Sequence, residues 1–232
     1  MSHNLEAKAV TKTYRAGNVD TVALREVDFT MERGEFTVLF GPSGSGKTTL
    51  LNLLGGLDRP SSGKIYLKDR EISGLSDSEL SRLRLFKIGF VFQSYNLIPV
   101  LTALENVEYV LILQKVPRQE RQERAKKLLE QLGLGELINK RPTEMSGGQQ
   151  QRVAVARAIV HLPELVLADE PTANLDSKTA HELMDMMHKL NQEKGISFLF
   201  STHDPMVMEH AKRLVELRDG RITNDELRTP KL

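Results

Sequence analysis

Short apolar runs alternate with longer stretches of helical periodicity along most of this chain. Residues 36–40, 88–93, 164–171 and 196–204 read FTVLF, IGFVFQ, ELVLADEP and ISFLFSTHD, and each contains the brief apolar run of a buried strand. Helical spacing follows several of them, as in residues 180–190, where apolar side chains recur every three or four positions. Strands that alternate with helices in this way predict an α/β fold with a mostly parallel core sheet.

Two regions depart from this alternation. The first forty residues are rich in strands, and the segment 22–31 places Val27, Phe29 and Met31 on one face, which predicts an added antiparallel β layer. From about residue 94 to 160 the pattern is helical, which indicates an α-helical subdomain. The predicted organisation is a single domain over residues 1–232, with the core and its β layer in about 1–93 and 161–232 and the helical subdomain in about 94–160.

The composition limits the classes of partner. Lysine and arginine (32) nearly balance aspartate and glutamate (31), so no general basic field predicts binding to nucleic acid. Cysteine is absent, which excludes disulfides and thiolate metal sites and is typical of a reducing compartment. No window approaches the run of about 20 apolar residues that a membrane-spanning helix requires, and the N-terminus lacks a signal-peptide core. We expect a soluble chain that reaches a membrane only through a partner.

A glycine-rich segment after the first apolar run has the chemistry of a phosphate-binding loop. GPSGSGKT at 41–48 matches G-x-x-x-x-G-K-[ST] and lies between a predicted strand and a predicted helix. Glycines let backbone N–H groups approach phosphate oxygens, Lys47 reaches the terminal phosphates, and Thr48 offers a Mg²⁺ ligand. A flexible turn is the alternative, but the flanking elements favour nucleotide binding. The candidate residues are Gly41, Pro42, Ser43, Gly44, Ser45, Gly46, Lys47, Thr48 and Thr49.

Polar residues follow three of the buried runs, where a parallel sheet forms its ligand crevice. We expect Asp169 and Glu170 beside the phosphates, with Asp169 anchoring Mg²⁺ through water and Glu170 accepting a proton from the attacking water. Gln93 is a candidate contact to Mg²⁺ or water, and His203 is a candidate donor to the γ-phosphate. Solvated acids at a strand end and a structural histidine are the alternatives.

A second glycine-containing segment, at 146–149, opens a predicted amphipathic helix. Ser146 as N-cap and Gln149 three residues later form a capping box, which is a purely local interpretation. That interpretation leaves Gly147 and Gly148 unexplained, because two glycines in a first turn weaken a helix. A helix start with bare N–H groups and a serine hydroxyl is also a second anion site, at which another group approaches the backbone closely.

Together these segments resemble the ATP-binding cassette ATPases over about residues 5–222. Residues 145–152 (MSGGQQQR) are similar to the family's signature, with Met145 in place of the usual leucine, while 41–48 resembles its Walker A loop and 165–170 its Walker B strand. The shorter motifs match at Gln93 (Q-loop), 173–176 (D-loop), His203 (switch histidine) and Tyr14 (the aromatic residue that stacks on adenine). All of them occur in the family's order.

The resemblance implies a P-loop NTPase cassette fold that binds ATP with Mg²⁺ and hydrolyses it. In that family two cassettes pack head to tail, and each ATP lies between the Walker A loop of one and the signature of the other. By this analogy 146–149 acts in the partner's site, and Asp176 crosses the interface. One copy of each element implies a homodimer with ATP at the interface.

Within the family, residues 90–107 and 167–177 are most similar to the cassettes of lipoprotein release and macrolide-type efflux. That similarity implies that the chain works with an integral membrane permease, which has a large extracytoplasmic domain and docks near Gln93 and 94–107. It also implies that this chain lies in the cytoplasm, on the inner face of the cell membrane. A regulator that transmits force without transport, of the cell-division type, is the alternative. A chromosome-maintenance ATPase would need a long coiled coil, and a small-molecule kinase would leave 146–149 unexplained.

Overall fold

The apolar runs form the strands of two sheets in the computed structural model, which describes residues 3–17 and 19–228. The predicted domain limits at residues 1 and 232 lie outside these ranges. In chain order the strands are β1 Leu5–Ala16, β2 Val19–Met31, β3 Phe36–Phe40, β4 Ser62–Leu67, β5 Arg70–Glu71, β6 Ile88–Val91, β7 Leu165–Asp169, β8 Ser197–Thr202, β9 Arg213–Arg218 and β10 Arg221–Leu227.

The central sheet has the order β10-β9-β3-β8-β7-β6, and it is mostly parallel as predicted. Strands β9, β3, β8, β7 and β6 run parallel, whereas β10 pairs antiparallel with β9 at one edge. The register pairs Phe40 with Thr202 and Asp169 with Ser201. The residues that follow β3, β7 and β8 therefore meet at the same end of the sheet, which is where the candidate site lies.

The predicted antiparallel layer is the second sheet, with the order β2-β1-β4-β5. Its neighbouring strands all pair antiparallel. Val27, Phe29 and Met31 are all buried, because alternate side chains of β2 face the core. The strand-rich start of the chain thus forms a layer against the central sheet, as its pattern indicates.

Helices cover both faces of the central sheet. They are α1 Lys47–Leu54, α2 Asp77–Lys87, α3 Ala103–Leu113, α4 Arg118–Gln131, α5 Gly147–Ile159, α6 Ser177–Lys194 and α7 Pro205–Glu209. Val38 packs in the apolar cluster that contains α3 to α6, whereas its neighbour Leu39 packs in the cluster that contains α1, α2 and the β layer. Helices α1 and α5 therefore lie on opposite faces of the sheet. Within the described ranges, no helix is long and apolar enough to cross a membrane.

Helix α2 lies before the predicted helical region 94–160, and the spacing of its apolar residues does not predict a helix. Only Leu80 and Leu83 are buried, so the helix lacks a continuous apolar stripe. Its start does carry a signal, because Ser76 and Glu79 form a capping box in which each side chain accepts a hydrogen bond from the other residue's N–H. The spacing S-x-x-E is the sequence feature that indicates this helix.

His161 lies in the turn between α5 and β7 and is partly buried. Burial lowers the pKa of its imidazole from 6.5 to about 4, and the nearby Ile88 backbone offsets only part of that effect. The folded chain therefore holds this ring neutral, whereas the unfolded chain protonates it below about pH 6.5.

We expect the free energy of unfolding to fall by about 2 kcal/mol through His161 when the pH is lowered from 7.5 to 5. The reason is that His161 takes up a proton in the unfolded state but stays neutral in the folded state. The variant His161→Leu should lose this part of the pH dependence in urea unfolding at the two pH values. His181→Leu, at an exposed histidine of α6, is the control. An unchanged pH dependence in His161→Leu would contradict the prediction.

Candidate nucleotide-binding and catalytic site

The predicted phosphate loop connects β3 to α1 and depends on glycine at two positions. Gly41 has φ +149°, and a Cβ there would lie 2.0 Å from the Leu217 carbonyl oxygen. Gly46 has φ +105°, and a Cβ there would lie 2.7 Å from the Ala23 carbonyl oxygen. Gly46 is also the N-cap of α1 and contributes no side-chain hydrogen bond to that helix. The first N–H groups of α1 are thus without a side-chain cap, as an anion site requires.

Two side chains of the loop fit a bound phosphate. Lys47 is only 8% exposed, and its Nζ donates to the carbonyl oxygens of Gly41 at 2.7 Å and Pro42 at 3.0 Å. The ammonium is therefore held across the mouth of the loop. The Ser45 hydroxyl oxygen is buried and has no hydrogen-bond partner in the described part of the chain. Since buried polar atoms are nearly always paired, a ligand oxygen would satisfy it.

The predicted Mg²⁺ ligands come together at the sheet end. Thr48 Oγ1 donates to Asp169 Oδ1 at 3.2 Å, although the two residues are far apart in sequence. Ser201 Oγ donates to the same carboxylate oxygen and fixes its position. A hydroxyl and a carboxylate are oxygen ligands of the type that Mg²⁺ prefers, so the pair fits that ion.

The backbone conformation of Glu170 and its hydrogen-bond partners suit a general base that is fixed in position. Its φ of 47° is unusual for a residue with a side chain, and its N–H donates to the Ser201 carbonyl at 2.9 Å. The carboxylate accepts from Thr202 Oγ1 at 3.0 Å and from His203 Nδ1 at 2.7 Å. Its side chain is 17% exposed, against 72% for His203. The pairing of His203 with Glu170 was not predicted, and a contact to the γ-phosphate stays a prediction.

Gln93 and Tyr14 occupy the margins of this site. Gln93 lies two residues beyond β6 and is exposed, and its carbonyl accepts from Asn174 Nδ2 at 3.0 Å. Tyr14, on β1, is 42% exposed and donates to Asp58 Oδ2 at 2.9 Å. Stacking of Tyr14 on a base stays a prediction.

The segment 146–149 has the predicted capping box and a further intrachain explanation for its glycines. The Ser146 side chain accepts from the Gln149 N–H at 3.3 Å, and Gln149 Oε1 accepts from the Ser146 N–H at 2.9 Å. A Cβ at Gly147 would lie 2.8 Å from Tyr95 Oη, and one at Gly148 would lie 2.3 Å from Thr179 Cγ2. Two side chains of the same chain therefore approach these glycines closely, and the approach of a partner's nucleotide to this segment stays a prediction.

Asp176 has a local role that its motif did not indicate. It is the N-cap of α6 and accepts from Thr179 N at 3.0 Å and Thr179 Oγ1 at 2.7 Å. These hydrogen bonds, with that of the Thr179 N–H first, lower the pKa of the Asp176 carboxyl. A role across a dimer interface is compatible with this cap and stays a prediction.

Sequence reasoning missed Arg157, which joins α5 to the segment after Gln93. Its guanidinium donates to the carbonyl oxygens of Tyr95 at 2.8 Å and Asn96 at 2.5 Å. Both of these residues have left-handed φ values, 58° and 49°. The contact spans some sixty residues, so no local pattern indicates it. Ser201 and Thr202 were also missed, although their place just before His203 in a strand that ends at the site was a usable signal.

The sequence profile of the family described as ABC transporter matches residues 24–173. The chain belongs to the ABC transporter family. It is 48% identical to the lipoprotein-releasing system ATP-binding protein LolD of Anaeromyxobacter dehalogenans, over 95% of this chain and 93% of that protein. It is 46% identical to the macrolide export ATP-binding/permease protein MacB of Syntrophobacter fumaroxidans, over 93% of this chain but 30% of that protein.

The cassette fold is confirmed by a solved structure. The ATP-binding cassette MJ0796, described as a dimeric post-hydrolysis state bound to ADP and Pi, superposes with a TM-score of 0.90 at 44% identity, over 96% of this chain and 98% of that one. Our chain is thus an ATP-binding and ATP-hydrolysing subunit of an ABC transporter. Tyr14, Asp176 and His203 lie outside the profile match, and their roles toward the nucleotide and the partner chain stay predictions.

Proposed function

We propose that this cassette drives a permease of the lipoprotein-release or macrolide-export class by closing on ATP as a head-to-tail homodimer and opening after hydrolysis. The observation that carries the proposal is the placement of α1 and α5 on opposite faces of one sheet. The phosphate loop and 146–149 begin these two helices, so one nucleotide is not expected to contact both within a chain. A second copy in two-fold symmetry supplies the missing half of each site.

In each site the loop and Lys47 bind the phosphates of ATP, while Thr48 and Asp169 hold Mg²⁺ with Gln93 as a further contact. When bound, Mg²⁺ supplies positive charge that offsets the charge of the phosphates. Water attacks the γ-phosphorus, the bond to the ADP oxygen breaks, and Glu170 accepts the water proton. Thr202 and His203 orient the Glu170 carboxylate for this transfer through their hydrogen bonds.

The partner chain completes the pocket. Ser146 and the N–H groups of Gly147 and Gly148 contact the γ-phosphate held by the other chain, with Gln149 beside them, and Asp176 faces the partner's site. Loss of the γ-phosphate removes the anion that bridges the two chains, so the dimer opens. Nucleotide state thus shifts the balance between closed and open forms.

Exposed apolar side chains mark where the permease docks. Phe86, Tyr109, Ile112 and Leu113 are each at least 41% exposed, and we name them the permease patch. Gln114 Nε2 donates to the Leu85 carbonyl at 2.7 Å, which brings the ends of α2 and α3 together. All four residues of the patch lie outside the predicted segment 94–107, in which Ala103 and Val107 of α3 are buried. In this proposal the patch contacts a permease with a large extracytoplasmic domain, and the chain lies at the inner face of the cell membrane.

We expect Leu113→Glu to reduce co-purification with the partner permease by at least about tenfold, because a charge buried in an apolar contact loses its water without gaining a partner. The measurement is recovery of the cassette with the tagged permease in detergent. Leu162→Glu is the matched control, since Leu162 is 63% exposed and lies before β7, outside the patch. Equal losses in both variants would argue against docking at this patch.

A further inference from the structure

Tyr14 is held at its hydroxyl and on one face by two charged neighbours. Its Oη donates to Asp58 Oδ2 at 2.9 Å, and Lys12 Nζ donates to the other carboxylate oxygen, Oδ1, at 2.7 Å. The same Lys12 Nζ lies 4.8 Å from the centroid of the Tyr14 ring. We call Lys12, Tyr14 and Asp58 the tyrosine tether. An ammonium over one face and an anchored hydroxyl leave the ring little freedom to turn.

The tether joins two different layers of the fold. Lys12 and Tyr14 lie on β1, whereas Asp58 lies in the loop that follows α1, the helix that begins at the phosphate loop. Lys12 Nζ also donates to the Arg59 carbonyl at 2.7 Å, and the Ser61 N–H donates to the Thr11 carbonyl at 2.8 Å. The strand that carries the ring is therefore fixed to the end of the helix whose start binds phosphate.

The protonation states favour these hydrogen bonds at neutral pH. Burial, with a smaller contribution from Asp58, raises the pKa of Tyr14, although the Thr49 side chain acts in the opposite direction. Burial alone would raise the pKa of Asp58, but hydrogen bonds from Lys12 and the Arg59 N–H outweigh it and lower the pKa. The tyrosine thus stays a donor and the aspartate stays an ionised acceptor, which is the stronger kind of hydrogen bond.

We propose that Lys12 and Asp58 are positioning residues that hold the Tyr14 ring in the orientation in which it stacks on the nucleotide base. The inference rests on one part of the proposed function, the base contact of Tyr14. The ring is 42% exposed and keeps surface for a planar ligand. A ring that is fixed before binding loses less freedom when the base arrives, so the tether raises affinity for a nucleotide but not for phosphate alone.

The test compares ATP with inorganic tripolyphosphate, which has the phosphates but no base. Titration calorimetry with Mg²⁺ gives the Kd of each ligand for the intact chain and its variants. In Tyr14→Phe the aromatic face is kept and the hydroxyl is lost, and we expect ATP to bind about threefold to tenfold more weakly with tripolyphosphate unchanged. Lys12→Met and Asp58→Asn should weaken ATP in the same way. The double variant Tyr14→Phe/Asp58→Asn should lose less than the sum of the two single losses.

The chain provides matched controls in the same sheet. Lys8 Nζ lies 5.1 Å from the centroid of the Tyr66 ring, so this pair repeats the ammonium–ring contact away from the phosphate loop. Lys8→Met and Tyr66→Phe should leave the Kd of both ligands unchanged.

The outcomes separate the tether from the base contact. If Tyr14→Phe binds ATP like the wild type while Tyr14→Ala binds it weakly, the tether is refuted and stacking stands. If Tyr14→Ala also binds ATP like the wild type, the base contact in the proposed function is wrong. An equal loss for ATP and tripolyphosphate in Tyr14→Phe would show a general structural effect and would also overturn the proposal.

Discussion

Glu170→Gln should lower the rate of ATP hydrolysis by at least about a hundredfold, while ATP still binds. The amide keeps the shape and one acceptor oxygen of the carboxylate but cannot accept the proton of the attacking water. Because the γ-phosphate is then retained, the variant should also accumulate as an ATP-dependent dimer. Phosphate release gives the rate, and light scattering after gel filtration with and without ATP gives the mass.

The matched control for this substitution lies at the other end of the same strand. Glu164 directly precedes β7 and pairs with Lys68 and Lys87 at 3.0 and 2.7 Å. Glu164→Gln should keep a rate close to that of the wild type, although it loses part of these ion pairs. A Glu170→Gln variant that hydrolyses ATP at the wild-type rate would remove Glu170 from the mechanism.

Ser146→Arg and Lys47→Ala should each lose most hydrolysis alone, yet a mixture of the two should regain about a quarter of the wild-type rate. In a mixed dimer, one pocket combines the intact loop of the Ser146→Arg chain with the intact 146–149 of the Lys47→Ala chain. When equal amounts of the two variants pair at random, about half of the dimers are mixed, and each mixed dimer has one working pocket of two. The measurement is phosphate release over a range of mixing ratios.

A second mixture tests whether the recovery has the proposed origin. Lys47 and Glu170 belong to the same half of a pocket, so chains with Lys47→Ala and Glu170→Gln form no intact pocket in any combination. This mixture should stay inactive. No recovery in the first mixture, or recovery in both, would contradict the assignment of 146–149 to the partner's site.

The central sheet and the phosphate loop were predictable because their signals are local. A short apolar run between turn residues needs no distant partner to identify it, and the loop needs only the spacing of Gly41, Gly46 and Lys47. Helix α2 shows the limit of periodicity, since two buried leucines do not make a stripe. Its capping box was the better signal.

The contacts that shape the site were not predictable, since each joins residues far apart in sequence. The approach of Thr179 to Gly148 and the bond from Tyr14 to Asp58 depend on how helices and strands pack, which one sequence does not specify. His203 shows the difference within one residue. Its place after β8 follows from the pattern, whereas its hydrogen bond to Glu170 follows from the order of β7 and β8 in the sheet.

The hydrogen bonds from Arg157 to the Tyr95 and Asn96 carbonyl oxygens bear on how movement passes through the chain. If the membrane partner docks near Gln93 as predicted, we expect a displacement of residues 95–96 to be passed through the Arg157 guanidinium to α5, the helix that begins after Ser146. Arg157 thus connects the segment after Gln93 to the helix that follows Ser146, so the two parts of the chain that contribute to different nucleotide sites are expected to move together. A movement that displaces Gln93 should therefore also displace residues 146–149, which face the neighbouring chain in the proposed dimer.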